Sequence, residues 1–200
     1  MVIDDAPGLV ALAQRNILEF HTWNTTTDSV ERPNRVVFDL DPGPEVPWRD
    51  LVTATRLVRT VLKDLRLESW LKTTGGAGLH VVVPIRPDSD WSLCLEFARA
   101  VAVSMVEHDP SRYTTTFAKR GRERLILIDY LRNNRTNTSV SAYSLRSRAA
   151  ATVSVPMDWD ELTPRTRPER WTIRTVPRRA AERDPWVGYS RKRQSLPQLR

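Results

Sequence analysis

Cysteine is almost absent from this chain of 200 residues, since Cys94 is the only one. A single thiol cannot form an internal disulfide or a cysteine-rich zinc site, so both are excluded as stabilising devices. Long apolar runs are also missing, because no stretch approaches the roughly 20 residues that a membrane helix needs. Asp4 and Asp5 stand where a signal peptide would be basic. We therefore expect a cytoplasmic protein with no membrane partner.

Lysine is scarce as well, with arginine making up most of the 31 basic residues against 24 acidic ones and a formal net charge of +7. Acidic and basic residues are close to balanced from Met1 to Asp90, whereas basic residues dominate from Ser111 onward. The arginine fork suits bidentate phosphate recognition, so this composition favours polyanionic partners. The basic end of the chain, including Arg200, also has the composition of a solvated tail.

Apolar periodicity predicts an α/β or α+β sheet domain, because strands are interrupted by two long helices. Helices are expected over Pro7–Glu19, Pro47–Leu65 and Trp91–Glu107, the first and third capped by Asp5 and Asp90. Strands are expected over Arg35–Asp41, Trp70–Thr73, Leu79–Ile85, Arg124–Tyr130 and Val140–Ser147. A short helical turn is expected within Pro156–Leu162.

Two carboxylates in the first long strand form the sharpest local feature. Asp39 and Asp41 are two residues apart, so they share one face of the strand while Phe38 and Leu40 point into the core. Paired carboxylates repel unless a cation lies between them, and hard oxygen ligands suit Mg²⁺ or Mn²⁺. Asp129 ends another apolar strand and would join them if the two strands are neighbours. An exposed acidic strand end is the alternative interpretation.

A glycine-rich turn, Thr73-Thr-Gly-Gly-Ala-Gly-Leu-His80, connects two strands. Its glycines allow backbone N–H groups to approach an anion, as phosphate-binding nests require. Downstream, Arg146 and Arg148 are expected to share a strand face, where they would suit a triphosphate or a DNA backbone. A plain hairpin turn and a solvated basic strand are the alternatives.

Taken together, six blocks resemble the polymerase domain of bacterial DNA ligase D, in the archaeo-eukaryotic primase superfamily. These are Leu18-Glu-Phe-His-Thr-Trp23, Val37-Phe-Asp-Leu-Asp-Pro-Gly-Pro44, Lys72-Thr-Thr-Gly-Gly-Ala-Gly-Leu-His-Val81, Ile128-Asp-Tyr-Leu-Arg-Asn133, Tyr143-Ser-Leu-Arg146 and Pro156-Met-Asp-Trp-Asp-Glu-Leu162. The resemblance implies an α+β primase-like catalytic core with a central, mostly antiparallel sheet flanked by helices. It implies a core over residues 1–177 and a basic tail over residues 178–200.

The resemblance also implies roles for individual residues. Catalysis and binding of Mn²⁺ or Mg²⁺ fall to Asp39, Asp41 and Asp129. Nucleotide binding falls to His21, Thr74, Gly75, Gly76, His80, Arg132, Thr138, Ser144 and Arg146. Arg135 and Arg148 are expected to bind nucleic acid. One metal ion would activate the primer 3′-hydroxyl while another neutralises the triphosphate.

The implied activity is template-directed addition of NTP or dNTP to primer 3′ ends on primer-template DNA or DNA ends. It would fill gaps or process ends in non-homologous end joining, with Ku and a separate ATP-dependent ligase as partners, in the nucleoid-associated cytoplasm of a bacterium. Two departures are visible. Ala77 stands where the family loop carries lysine, and the family's N-terminal lobe has no counterpart in the sequence. A non-catalytic nucleic-acid- or nucleotide-binding member of the fold is therefore one alternative, and an Asp-x-Asp glycosyltransferase or phosphohydrolase is another.

Overall fold

A mixed six-stranded sheet forms the centre of the computed structural model, which describes residues 2–197. The strands are β1 (His21–Thr22), β2 (Arg35–Pro42), β3 (Trp70–Thr73), β4 (Leu79–Pro84), β5 (Tyr113–Thr114), β6 (Ile126–Asp129), β7 (Ser139–Val140) and β8 (Pro156–Met157). The α-helices are α1 (Ala6–Gln14), α2 (Trp48–Asp64), α3 (Trp91–His108) and α4 (Val176–Glu182). The central sheet has the order β5-β6-β2-β4-β3-β8, while β1 and β7 pair separately. All neighbours are antiparallel except β5 and β6, so the expected α+β, mostly antiparallel architecture is confirmed.

The alternation of β2 divides the sheet into two faces. Phe38 and Leu40 have no solvent exposure and pack into the core with residues of α2 and α3. The ring of Phe38 meets Phe97 of α3 edge-on, with centroids 6.3 Å apart. Asp39 and Asp41 project from the opposite face, as a repeat of two residues requires. We call this opposite side the open face of the sheet.

The two long helices lie close to their predicted bounds, whereas the first helix is shorter. The Asp5 and Asp90 carboxylates accept the backbone N–H groups of Gly8 and Leu93, both at 2.8 Å, so the predicted N-caps are confirmed. Helix α1 ends at Gln14 rather than Glu19. Its end is marked by a left-handed residue two positions later, Asn16, with φ of 59°.

The predicted strand over Val140–Ser147 is wrong beyond its first residue. Strand β7 stops at Val140, and Tyr143 adopts a left-handed conformation with φ of 62°, which turns the chain out of an extended path. Residues 141–148, which we call the arginine loop, then fold back against residues 152–154 through an antiparallel bridge between Leu145 and Val153 and neighbouring backbone hydrogen bonds. Arg146 and Arg148 therefore share a loop and not a strand face.

The segment that follows α4 packs along the β3 side of the sheet as far as residue 197. The Trp186 indole N–H donates to the Leu71 carbonyl at 2.8 Å. The Gln194 side-chain amide donates to the carbonyls of Glu68 and Pro84, both at 3.0 Å. Arg200, part of the expected tail, lies outside the described residues. No helix within residues 2–197 has both the length and the apolar character needed to cross a bilayer.

Candidate active site

Four polar side chains form a row across the open face of the sheet. Strand register sets Lys72 opposite His80, His80 opposite Asp39, and Asp39 opposite Asp129. Directly paired residues of antiparallel strands point to the same face and lie side by side. All four are buried. We call Lys72, His80, Asp39 and Asp129 the polar row; it joins residues that are far apart in sequence.

Arginines neutralise the carboxylates of this region. Arg132 Nε lies 3.1 Å from Asp39 Oδ2 and 3.0 Å from Asp129 Oδ2, so two carboxylates converge on one positive charge. Arg122 Nη2 lies 3.0 Å from Asp41 Oδ2. The three expected metal-ligand side chains therefore each have a cationic partner.

The polar row perturbs the pKa values of its own members. Burial raises the pKa of Asp39, but the nearby His80 and Arg132 outweigh that effect and hold it at about 2. Burial raises the pKa of Asp129 to about 6, with the charges of Asp39 and Asp41 adding to the rise and Arg132 opposing it. Two carboxylates that share a site are thus split, one firmly ionised and one close to protonation.

The pKa values of the two basic members of the polar row, His80 and Lys72, are lowered, which favours their neutral forms. Burial, and then the charge of Lys72, lower the pKa of His80 to about 4, against the attraction of Asp39. Burial lowers the pKa of Lys72 to about 7, while Asp39 opposes that shift. His80 is therefore neutral at pH 7. Its Nε2 lies 3.4 Å from Asp39 Oδ2, and its Nδ1 is buried with no hydrogen-bond partner.

The glycine turn packs tightly against the arginine loop. Gly75 has φ of 70°, and a Cβ there would lie 2.6 Å from Arg146 Cγ. A Cβ on Gly76 would lie 2.9 Å from Arg148 Nη2. The Gly76 N–H donates to Thr74 Oγ1 at 3.1 Å, which closes the turn. Glycine at 75 and 76 thus allows the two arginines to approach the backbone of the turn.

Arg146 joins the glycine turn to the N-terminal segment. Its Nη1 donates to the Thr74 carbonyl at 2.6 Å, and its Nε lies 3.2 Å from Glu19 Oε2. The Ser147 N–H donates to the other oxygen of Glu19 at 2.7 Å. Glu19 was missed from the sequence, although it lies in the same block as His21. Lys72 and Arg122 were missed too, the first because a lysine in a strand is usually solvent-exposed.

A pocket of about 200 Å³ opens over the polar row. Its lining combines two carboxylates, two histidines, three arginines and the glycine turn: His21, Asp39, Asp41, Thr74, Gly76, Ala77, Gly78, His80, Arg132, Val140, Arg146 and Arg148. Nine of the residues that the sequence assigned to a site therefore line one pocket. Five do not: Gly75, Asp129, Arg135, Thr138 and Ser144.

Two of these five lie next to the lining residue Arg132. The Asp129 carboxylate contacts the Arg132 guanidinium and accepts the Leu131 N–H at 2.9 Å. Thr138 contributes its backbone carbonyl, which accepts from Arg132 Nη1 at 3.4 Å. These residues contact Arg132 instead of opening into the pocket.

The other three residues contact other parts of the chain outside the pocket. The Gly75 carbonyl accepts the Thr152 hydroxyl at 2.5 Å. The Ser144 hydroxyl accepts the Phe20 N–H at 2.8 Å, which ties the arginine loop to the N-terminal segment. Arg135 is exposed and forms an ion pair with Glu31.

The carboxylates suit a divalent cation. Asp39 and Asp129 are close enough to share one guanidinium nitrogen, and carboxylate oxygens are the ligands that Mg²⁺ and Mn²⁺ prefer. Among residues 2–197 as they stand, however, no three acidic, histidine or cysteine side chains are arranged to hold one ion together. Arg132 Nε lies between Oδ2 of Asp39 and Oδ2 of Asp129, so an ion held by both of these oxygens would have to displace it.

Comparison with known proteins agrees with these observations. A family model described as LigD, primase-polymerase domain, matches residues 1–186. The multifunctional non-homologous end joining protein LigD of Pseudomonas aeruginosa is 39% identical over 197 residues, which are 97% of this chain and 24% of that protein. The bifunctional non-homologous end joining protein LigD of Bacillus subtilis is 28% identical over 177 residues, which are 88% of this chain and 29% of that protein. The chain thus spans about a quarter of the length of these relatives.

One solved structure matches closely. It is the polymerase domain from Mycobacterium tuberculosis ligase D in complex with DNA, with a TM-score of 0.85 and 30% sequence identity. The match covers 94% of this chain and 68% of that one.

Proposed function

The chain belongs to the LigD primase-polymerase domain family, and we propose that it is a metal-dependent nucleotidyltransferase that adds nucleotides to the 3′ end of a DNA primer. One observation carries this proposal. A single pocket combines the Asp39 and Asp41 carboxylates with a glycine turn and the guanidinium groups of Arg132 and Arg146. Nucleotidyl transfer needs both elements, carboxylates for divalent cations and forked cations for a triphosphate.

Asp39, Asp41 and Asp129 would hold Mn²⁺ or Mg²⁺. When bound, such an ion lowers the pKa of the attacking hydroxyl and neutralises charge on the phosphates. Asp39 is suited to this role because its pKa of about 2 keeps it ionised at any physiological pH. Neutral His80 lies on the neighbouring strand with Nε2 3.4 Å from Asp39 Oδ2, where it would help to orient this carboxylate. Arg132 would shift from the carboxylates toward the incoming phosphates.

The glycine turn and the arginine loop would bind the triphosphate. Residues of the turn, His80, Arg146 and His21 all line the same pocket. Thr138 and Ser144 would act indirectly, through Arg132 and Phe20 respectively. Ala77 stands where the family loop carries a lysine. Arg148 would supply the missing positive charge, because its guanidinium group lies next to Gly76.

The DNA would approach along the basic surface beside the pocket. Arg148 lines the pocket and is exposed, so it would contact the primer-template backbone; exposed Arg135 would contact more distant phosphates. We propose a role in gap filling or end processing during non-homologous end joining in the bacterial cytoplasm. Ku and a separate ATP-dependent ligase would be its partners there, with NTP or dNTP as the substrate.

A second candidate is a non-catalytic nucleotide- or DNA-binding protein of the same fold. It is favoured by the arginines that pair with all three carboxylates, because a metal ion bound to the paired oxygens would have to displace them. Both candidate functions involve the same ligands, nucleotide and DNA. They differ only in whether the protein catalyses formation of a phosphodiester bond.

One experiment separates them. The chain is incubated with a gapped primer-template, NTPs and Mn²⁺, beside the Asp39→Ala/Asp41→Ala double variant. We expect the wild type to extend the primer and the variant to lose at least about 1,000-fold in rate, which corresponds to several kcal/mol of lost charge stabilisation. The matched control is Asp64→Ala/Glu107→Ala, which removes two exposed carboxylates from α2 and α3 and is expected to extend normally. Binding of DNA by both wild type and variant with extension by neither would identify the non-catalytic candidate.

A further inference from the structure

Glu19 lies just outside the pocket, where the N-terminal segment meets the arginine loop. Its carboxylate has three partners: His21 Nε2 at 3.2 Å, Arg146 Nε at 3.2 Å and the Ser147 N–H at 2.7 Å. Two of the partners, His21 and Arg146, line the pocket, whereas Glu19 does not. This one carboxylate thus connects two pocket-lining residues, His21 and Arg146, that are more than a hundred positions apart in sequence.

The contact with Glu19 favours one tautomer of the His21 ring. The Ser147 N–H, together with His21 and Arg146, lowers the pKa of Glu19 to about 2, against the effect of burial. An ionised carboxylate only accepts hydrogen bonds, so Nε2 of His21 must be the donor. In the neutral ring Nδ1 is then an acceptor, able to receive a hydroxyl proton but repelling phosphate oxygens.

The same carboxylate limits the freedom of Arg146. Glu19 holds the Nε edge of the guanidinium while the Thr74 carbonyl holds Nη1 at 2.6 Å. These two contacts fix the plane of the fork and leave its remaining N–H groups for a ligand. A planar fork that is already oriented loses less entropy when it binds phosphate.

We propose that Glu19 is a positioning residue for nucleotide binding, which fixes the tautomer of His21 and the orientation of Arg146 through one shared carboxylate. The inference rests on the proposed function, since it assumes that a nucleotide enters the pocket. Glu19 acts through its two partners and does not touch the ligand itself.

The substitution Glu19→Gln tests this proposal with little change in size. A glutamine can still accept the Ser147 N–H through its carbonyl oxygen, but its amide presents N–H donors toward His21 and Arg146. It should therefore switch His21 to the Nδ1–H tautomer and release Arg146. The matched control is Glu182→Gln, which removes the charge of an exposed ion pair with Arg178 on α4.

The first readout is the tautomer of His21, measured by long-range ¹H–¹⁵N NMR at a pH where the spectrum shows a neutral ring, with His21→Asn to assign the signal. We expect the Nε2–H form in the wild type and in Glu182→Gln, and the Nδ1–H form in Glu19→Gln. An Nδ1–H form in the wild type would overturn the proposal without any variant. This measurement does not depend on catalysis or on a bound metal ion.

The second readout separates nucleotide from DNA binding in the full chain. Titration calorimetry with ATP and Mg²⁺ should give about 10-fold weaker affinity for Glu19→Gln, as expected when a charge-assisted contact is lost. Anisotropy of a labelled gapped duplex should change by less than about 2-fold. In steady-state assays the KM for NTP should rise more than kcat falls.

Unchanged ATP affinity in Glu19→Gln, beside a wild type that binds ATP, would reject the positioning role. Equal losses for ATP and DNA, or a lower thermal midpoint than that of Glu182→Gln, would show that Glu19 is merely structural and would also reject it. A wild type that fails to bind ATP would instead refute the proposed function. The tautomer measurement would then still decide the His21 half of the inference.

Discussion

The two faces of the central sheet are almost equally buried yet carry opposite chemistry. Phe38 and Leu40 have no exposure on the helix side, and on the open face Asp39 is only 7% exposed and His80 only 1%. Burial of the apolar side chains stabilises the fold by about 1.5–3 kcal/mol for each large residue. Burial of ionisable groups opposes folding unless they are paired. One face therefore stabilises the sheet, whereas the other face carries buried ionisable groups at a cost in stability.

The pKa values on the open face reflect the opposing effects of burial and pairing. Asp129, Lys72 and His80 are all shifted toward their neutral forms by burial, whereas Asp39 is held ionised by its neighbours. An apolar row at these positions would carry no such cost. The polar row thus opposes the stability of the fold, as is typical of buried ionisable groups at functional sites.

Phe38→Ala should have the largest effect and tests the stabilising face. Removing a fully buried aromatic ring next to Phe97 is expected to cost about 3–5 kcal/mol of unfolding free energy. Urea denaturation followed by circular dichroism measures it. Exposed Phe117 offers the matched control, since Phe117→Ala should cost far less. A loss below about 1 kcal/mol for Phe38→Ala would contradict the assignment of this face.

Arg146→Ala should have the next largest effect and tests the open side. The variant loses contacts to both Thr74 and Glu19, so we expect nucleotide affinity to fall by about 10- to 100-fold while DNA binding changes little. Arg178→Ala, on the exposed surface of α4, serves as the control. Parallel losses of nucleotide and DNA affinity would show that Arg146 has no preference for the nucleotide.

Asp129→Asn should have the smallest effect on stability, with the opposite sign from Phe38→Ala. Folding raises the pKa of Asp129 from 3.8 to about 6, so the folded state binds the proton more tightly than the unfolded state does. Ionisation of Asp129 therefore lowers the free energy of unfolding. This group's contribution to stability is therefore present below pH 3.8 and is lost as the pH rises through about 6. Without added metal, the asparagine variant should be about 1–3 kcal/mol more stable than the wild type at pH 8, because the full pKa shift corresponds to about 3 kcal/mol and the lost ionic contact with Arg132 offsets part of it.

Urea denaturation of metal-free protein between pH 4 and pH 8 would test the sign. The wild type should lose stability relative to Asp129→Asn across this range, and the variant should also lose nucleotide transfer. A wild type that is the more stable protein at pH 8 would mean that the Arg132 contact outweighs the cost of burial.

Local patterns predicted much of the fold because they depend on nearest neighbours. The caps at Asp5 and Asp90, the two long helices and the alternation of Phe38 with Asp39 follow from hydrogen bonding and periodicity within a few residues. The strand prediction over Val140–Ser147 was wrong because contacts with distant residues shape this segment. Its apolar pattern resembles a strand, but the chain turns at Tyr143, and the Ser144 hydroxyl is held by the distant Phe20 N–H.

Candidate residues could be named from the sequence, whereas their partners could not. Asp39, Asp41 and the glycine turn stand out by residue type and spacing. Nothing local indicates that Arg132 bridges Asp39 and Asp129, that Arg122 pairs with Asp41, or that Glu19 connects His21 with Arg146. These contacts join segments that are mostly distant along the chain, and only folding brings them together.

The sequence by itself determined the residue types and the periodicities: which strands alternate, where carboxylates, glycines and arginines stand, and which family the blocks resemble. The tertiary structure alone decided the register of four strands, and that register sets Lys72, His80, Asp39 and Asp129 in one row. The physical reason is that side-chain direction within a strand follows from a repeat of two residues, while the pairing of strands depends on packing across the whole core. Charge and burial act on pKa values only after that pairing exists.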